Sequence, residues 1–153
     1  MQKPVIFLAA LVLVLAACGK NKYNTKPYIA LKSVSSTSVP PGGQLQIVLE
    51  FTDKEGDISD SIFVEKLRIN EIPSPVHPVN TFGFPVPAYS KKQEGEVVVT
   101  LDYSLHLTGA LNPPTQGNPP VAVPDTMVYK FSLRDLGGNI SDTVEVGPIE
   151  IIR

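Results

Sequence analysis

The sequence predicts an all-β fold, an antiparallel two-sheet sandwich of about seven strands, on three observations. Apolar side chains recur with a period of two in three long stretches, which sorts alternate residues of an extended strand onto opposite faces. Past the first 17 residues, no stretch carries the 3.6-residue apolar period of an amphipathic helix. Clusters of proline and glycine separate the apolar stretches, and the chain has 15 prolines and 11 glycines from which to build turns.

Taken in order, the first expected strand covers residues 28–34. After the break at Pro40-Pro41-Gly42-Gly43, Leu45, Ile47, Leu49 and Phe51 alternate with Gln44, Gln46, Val48, Glu50 and Thr52. A less regular strand follows at 62–69, with a short edge piece at 86–89. Val97, Val99, Leu101, Tyr103 and Leu105 then stand opposite Val98, Thr100, Asp102, Ser104 and His106. Met127, Tyr129, Phe131 and Leu133 repeat the pattern against Val128, Lys130, Ser132 and Arg134. The last strand, 143–152, is joined to the one before it by a tight hairpin turn at Asp135-Leu136-Gly137-Gly138-Asn139.

Two long connections, 73–87 and 112–124, are rich in proline. Proline fixes φ and lacks a backbone donor, so neither stretch is a central strand. Each is expected either as an ordered surface loop that shields a sheet edge or as a partner-binding edge. For the second role Phe82, Phe84 and Tyr89 supply rings in and just beyond the first connection.

The N-terminus carries a different signal. A basic start at Lys3 and an apolar run from 5 to 15 lead into Leu15-Ala16-Ala17-Cys18-Gly19. The run is shorter than the roughly 20 residues of a membrane-spanning helix, and its small-residue exit fits a cleaved export signal. The only cysteine of the chain falls where a lipobox needs it, so the segment resembles a bacterial lipoprotein signal. That resemblance implies cleavage before Cys18, lipidation of its sulfur and new amine, and attachment to a membrane surface. Gly19 stands where lipoproteins retained at the inner membrane have Asp, which implies the outer membrane. Lys20, Asn21 and Lys22 lack the acidic cluster of surface-exported Bacteroidetes lipoproteins, so a periplasm-facing domain is favoured over a cell-surface one. The division expected is a signal at 1–17, a lipidated polar tether at 18–26 and one β-domain at 27–153.

Removing 17 of 153 residues leaves 136, with 12 basic and 15 acidic groups, a net charge of −3. A chain of this length buries roughly two-thirds of its unfolded surface, enough to hold together without disulfides. The mildly acidic balance lacks the basic patch that phosphate backbones need, so nucleic acid is not an expected partner.

Asp125-Thr126-Met127-Val128-Tyr129-Lys130-Phe131 resembles the tyrosine-corner signature of immunoglobulin-like domains. Asp125 and Tyr129 match it; Phe131 occupies the position of the usual cysteine, and the chain has no tryptophan. The resemblance implies an immunoglobulin-like or fibronectin-like sandwich with an apolar core and no disulfide. It implies no activity.

The acidic loop Asp53-Lys54-Glu55-Gly56-Asp57-Ile58-Ser59-Asp60 has the spacing of an oxygen-ligand site. Carboxylates at alternate positions of a turn point the same way and suit Ca²⁺, which takes six to eight oxygens. The loop departs from an EF-hand, since Gly56 comes fourth and Val64 stands where the bidentate glutamate belongs. It resembles acidic loops of Bacteroidetes-type lipoprotein β-sandwiches, some of which bind calcium. In an immunoglobulin-like layout the later turn lies at the same end, which adds Asp135, Asn139 and Asp142 as donors. The reading favoured from the sequence is a solvated Asx/Gly turn without any ion, with the calcium site as the alternative.

No catalytic constellation is present. His77 lies among prolines, His106 lies near a strand end, and no G-x-S-x-G elbow exists. The sequence is therefore expected to encode a non-catalytic binding or scaffold module on the outer membrane, requiring no cofactor unless calcium binds. The partner expected is an envelope protein. The alternative is a glycan-binding or glycan-hydrolysing accessory lipoprotein, for which tyrosine and phenylalanine are the only stacking rings.

Overall fold

The computed structural model describes residues 25–70, 79–88, 91–109 and 111–153. Among these residues ten strands and one π-helical turn follow one another, with nearly all pairing antiparallel. Strands β1 (Tyr28–Val34), β3 (Gln44–Thr52) and β6 (Glu94–Asp102) form a small sheet in the order β1-β3-β6. Strands β2 (Ser38–Val39), β4 (Ser61–Arg68), β5 (Val79–Pro85), β9 (Asp125–Arg134) and β10 (Val144–Ile151) form a larger sheet, ordered β2-β10-β9-β4-β5. Its one parallel pairing joins β2 to β10. A ribbon of β7 (Thr115–Gln116) and β8 (Val121–Ala122) stands apart from both.

The alternation in the sequence becomes the core. Leu45, Ile47, Leu49 and Phe51 of β3 point inward and are buried, as are Val97, Val99 and Leu101 of β6. Ile62 and Val64 of β4 and Met127, Tyr129, Phe131 and Leu133 of β9 come in from the large sheet. Together with Val146, Ile149 and Ile151 of β10 they make one apolar cluster shared by the two sheets. Burying such a set is the main favourable term in folding.

Four features differ from the sequence expectations. The apolar alternation of β6 runs on to Leu105 in sequence, but the strand stops at Asp102. There the Asp102 carboxylate accepts from the amides of Ser104 (2.9 Å) and Leu105 (3.2 Å). This local bond competes with the strand ladder, winds Tyr103–Leu107 into a π-helical turn and leaves Leu105 75% exposed. The edge piece expected at 86–89 lies instead at β5, inside the first proline-rich connection. Proline is tolerated there because, among the described strands, β5 pairs with β4 alone and stands at the edge of its sheet. The second connection contains the β7–β8 ribbon. Finally β10 is interrupted by a register shift between Val146 and Ile149, where Gly147-Pro148 sits; proline lacks the donor that the ladder needs.

Candidate functional site

One end of the molecule is made by two loops, one from each sheet. The chain leaves β3 of the small sheet at Thr52 and turns through Asp53–Asp57; it leaves β9 of the large sheet at Arg134 and turns back at Asp135–Asn139. Gly56 holds a φ of +68°, and a Cβ there would lie 3.0 Å from the backbone of Lys91. Only glycine turns here without strain. Asp57 O accepts from the Leu136 amide at 2.9 Å, docking the first loop on the second.

These turns bring Asp53, Asp57 and Asp135 together, with one carboxylate oxygen of each within 4.8 Å of the others. Asp53 and Asp135 are buried and Asp57 half-buried. Asp53 Oδ2 accepts from the Asp57 amide at 3.1 Å. Both oxygens of Asp135 accept from Asn139, from its amide at 2.7 Å and its Nδ2 at 2.9 Å. Asp53 Oδ1 and Asp57 Oδ1 are buried without a hydrogen-bond partner among the described residues. Burial raises the pKa of Asp53 above the ordinary aspartate value, against the bonds that its oxygens accept from the loop backbone.

Three of the seven ligand candidates read from the sequence therefore converge. The other four lie apart or are engaged otherwise. Glu55 is exposed and outside the group. Asp60 pairs with Arg134, whose hydrogen bond holds its carboxyl below the ordinary range. Asn139 spends its donors on Asp135, and Asp142 pairs with Lys26 at 2.5 Å.

The opposite end of the large sheet holds a polar cluster that the sequence reading missed. Lys66 and Arg68 continue the inward series of β4 after Ile62 and Val64, so the strand period aims two cations into the interior. Lys66, fully buried, donates from Nζ to the carbonyls of His106 (2.6 Å), Leu107 (3.2 Å) and Gly109 (3.3 Å). Arg68 Nε lies 2.5 Å from Asp125 Oδ1, and Arg153 pairs with Oδ2 of the same carboxylate. The two guanidiniums also donate to Asn112 O (2.7 Å) and Leu111 O (3.2 Å). Three cations thus fasten five carbonyls of the segment that closes this end.

Burial, the largest influence on Lys66, pushes its pKa down from 10.5 to about 8. Between those values the unfolded chain binds more protons than the folded one, so unfolding free energy rises with pH. The gain is complete above the unfolded-state value and absent below the folded-state one. The urea midpoint is thus expected to climb between pH 8 and 10.5 relative to that of a Lys66→Met variant. A constant difference between the two proteins across that window would mean that Lys66 titrates normally.

Tyr129, cross-strand from Lys66, is fully buried. Its hydroxyl has no hydrogen-bond partner among the described residues, so the backbone bond that defines a tyrosine corner is missing. Burial raises its pKa far above that of a free phenol.

The aromatic residues proposed for partner binding are placed differently from the sequence expectation. Phe82 and Phe84 lie on β5, not in a loop, and both are half-buried against the core. Their rings meet edge to face at 5.8 Å and flank the His106 ring at 5.4 and 5.1 Å. His106 Nδ1 accepts from the Asp102 amide at 2.9 Å. Tyr89, His77 and Cys18 lie outside the described residues. On the outer face of the large sheet, a groove of about 490 Å³ is lined by Phe63, Glu65, Thr81, Lys130, Ser132 and Glu145, among others.

No family model and no curated protein matches the chain. Among solved structures it is similar to the sporulation control protein Spo0M of Bacillus subtilis. That match has 12% identity and a TM-score of 0.41, over 84% of this chain and 50% of that one. It is also similar to a β-glucosidase of Listeria innocua in complex with gluconolactone (14%, TM-score 0.36, 84% of this chain and 16% of that one). A β-glucosidase of Erythrobacter marinus matches at 12% and a TM-score of 0.38, over 82% of this chain and 16% of that one. The chain thus spans half of the first protein and a small part of the enzymes. Likeness this loose transfers neither a fold type nor an activity.

Proposed function

We propose that this chain is a non-catalytic envelope module, an immunoglobulin-like sandwich held at the outer membrane by a lipidated Cys18 and facing the periplasm, where it binds or scaffolds a protein partner. The observation that carries the anchor is the single cysteine directly after Leu15-Ala16-Ala17, nine residues of mainly polar chain before β1 begins at Tyr28. The strand order supports the immunoglobulin-like assignment. β1-β3-β6 corresponds to an A-B-E sheet, and β10-β9-β4-β5 to G-F-C with an added C′ strand. A non-catalytic role is supported by His106, whose Nδ1 is occupied by a backbone amide and whose ring is wedged between two phenylalanines.

Glycan capture finds its support in the groove over Phe63. We favour the protein partner because Lys130 in that groove stands 3.8 Å from Glu65 in an ordinary cross-strand ion pair, and no indole is available for stacking.

Cys18→Ser is expected to abolish incorporation of labelled fatty acid and to move the protein out of the membrane fraction, because one residue carries all the acyl hydrophobicity. Label retained by the variant would sink the anchor assignment.

A further inference from the structure

We propose that Asp53, Asp57 and Asp135 form a calcium site that fastens the small sheet to the large one. The proposal starts from the convergence of three carboxylates, each of which brings one oxygen to within 4.8 Å of the other two. Like charges gathered at this spacing repel, and the neighbouring Arg134 is paired with Asp60. A second observation is independent of the cluster itself. Asp53 is fully buried, and its Oδ1 has no hydrogen-bond partner among the described residues. A buried carboxylate oxygen left unpaired carries a desolvation penalty that a coordinated cation removes.

The donor set selects the ion. All three groups are hard oxygens, with no imidazole or thiolate among them, which favours Ca²⁺ or Mg²⁺ over transition metals. Mg²⁺ demands near-ideal octahedral geometry and keeps much of its water, whereas Ca²⁺ accepts irregular cages and more ligands. Three carboxylates fixed by two separate turns, with an oxygen of Asp53 and of Asp57 already stripped of water, suit the larger and more tolerant ion.

Position gives the site its role. Asp53 follows β3 of the small sheet, and Asp135 follows β9 of the large one, so a shared ion bridges the two layers where their loops meet. One oxygen each of Asp53 and Asp57 is buried, so an ion held there sits against the fold and joins its two layers, with water or loop carbonyls completing its six to eight ligands. Three charges of −1 against +2 also leave the site anionic, which disfavours a carboxylate-bearing ligand.

The test uses the detergent-solubilised full-length protein, stripped with EDTA and melted in increasing CaCl₂ or MgCl₂. A cation that binds only the folded state raises the melting temperature as its concentration passes the dissociation constant, expected at about 10⁻⁴ to 10⁻³ M for an extracellular-type module. Calcium is expected to give a saturating rise, magnesium a smaller one, and equilibrium dialysis with ⁴⁵Ca one ion per chain. Asp135→Asn is expected to lose the rise and Asp60→Asn to keep it. Should Asp135→Asn not fold, Asp57→Asn at the half-buried position is expected to lose both the rise and the bound ⁴⁵Ca. Identical melting in EDTA and in 10 mM (about tenfold above the upper dissociation constant) calcium would overturn the site. So would a calcium response retained by Asp57→Asn, and equal stabilisation by magnesium would overturn the choice of ion.

Discussion

Asp125→Ala is expected to cost about 3 to 5 kcal/mol, because it removes one carboxylate from two buried guanidiniums at once. Asp125 is fully buried, and the Arg68 and Arg153 side chains are only 8% and 11% exposed, so neither cation has solvent to turn to without opening the structure. The loss extends beyond the ion pairs. Arg68 and Arg153 also hold Asn112 and Leu111 by their carbonyls, so a reoriented guanidinium releases the segment that covers this end. A fall in urea midpoint with an unchanged slope gives the cost directly. A loss under about 1 kcal/mol would mean that the arginines reach water freely and that the pairing contributes little, as in an exposed ion pair.

Phe131→Ala is expected to cost a similar amount, about 3 to 5 kcal/mol, for a different reason. The ring is fully buried at the centre of β9, opposite Val64 on one side and Val144 on the other. Neighbours fixed in two ladders relax only partly, so the truncation leaves a cavity in addition to the lost transfer energy. Chemical unfolding of the purified protein measures it. A cost below about 1 kcal/mol would mean that the core refills the space and that Phe131 does not anchor the contact between the sheets.

How much of this was legible in the sequence depended on whether local pattern and tertiary burial agreed. β3 and β9 were readable because one face of each is buried along its whole length, so period and burial coincide. β6 was readable only to Asp102; beyond it Tyr103 and Leu105 kept the apolar period while a side-chain bond bent the backbone away. β5 was hidden by its prolines, which an edge strand tolerates, and β2 by having two residues. In the acidic loops the sequence offered the right residue types and too many of them. Which three meet is fixed by the approach of two loops from different sheets, and spacing along one loop carries no information about that. Lys66 and Arg68 did leave a signal, since their places in the β4 alternation match those of Ile62 and Val64. Charged residues at inward positions read as an irregular strand until partners for them are known.

The stretch from Tyr28 to Val39 belongs to both sheets: β1 pairs with β3 of the small one, and after a short crossing β2 lies beside β10 of the large one. Under the proposed lipid anchor at Cys18, mechanical load would enter the domain at this stretch. Such a pull would meet the β1–β3 ladder first and the β2–β10 ladder next, since β1 and β2 each stand at the outer position of their sheet. The Lys32–Glu96 ion pair spans from β1 to β6 over β3 and adds a lateral brace to the strand that takes the first pull. Drawing the N-terminal end of the domain out would thus require breaking pairing in both layers, β1 from β3 and then β2 from β10.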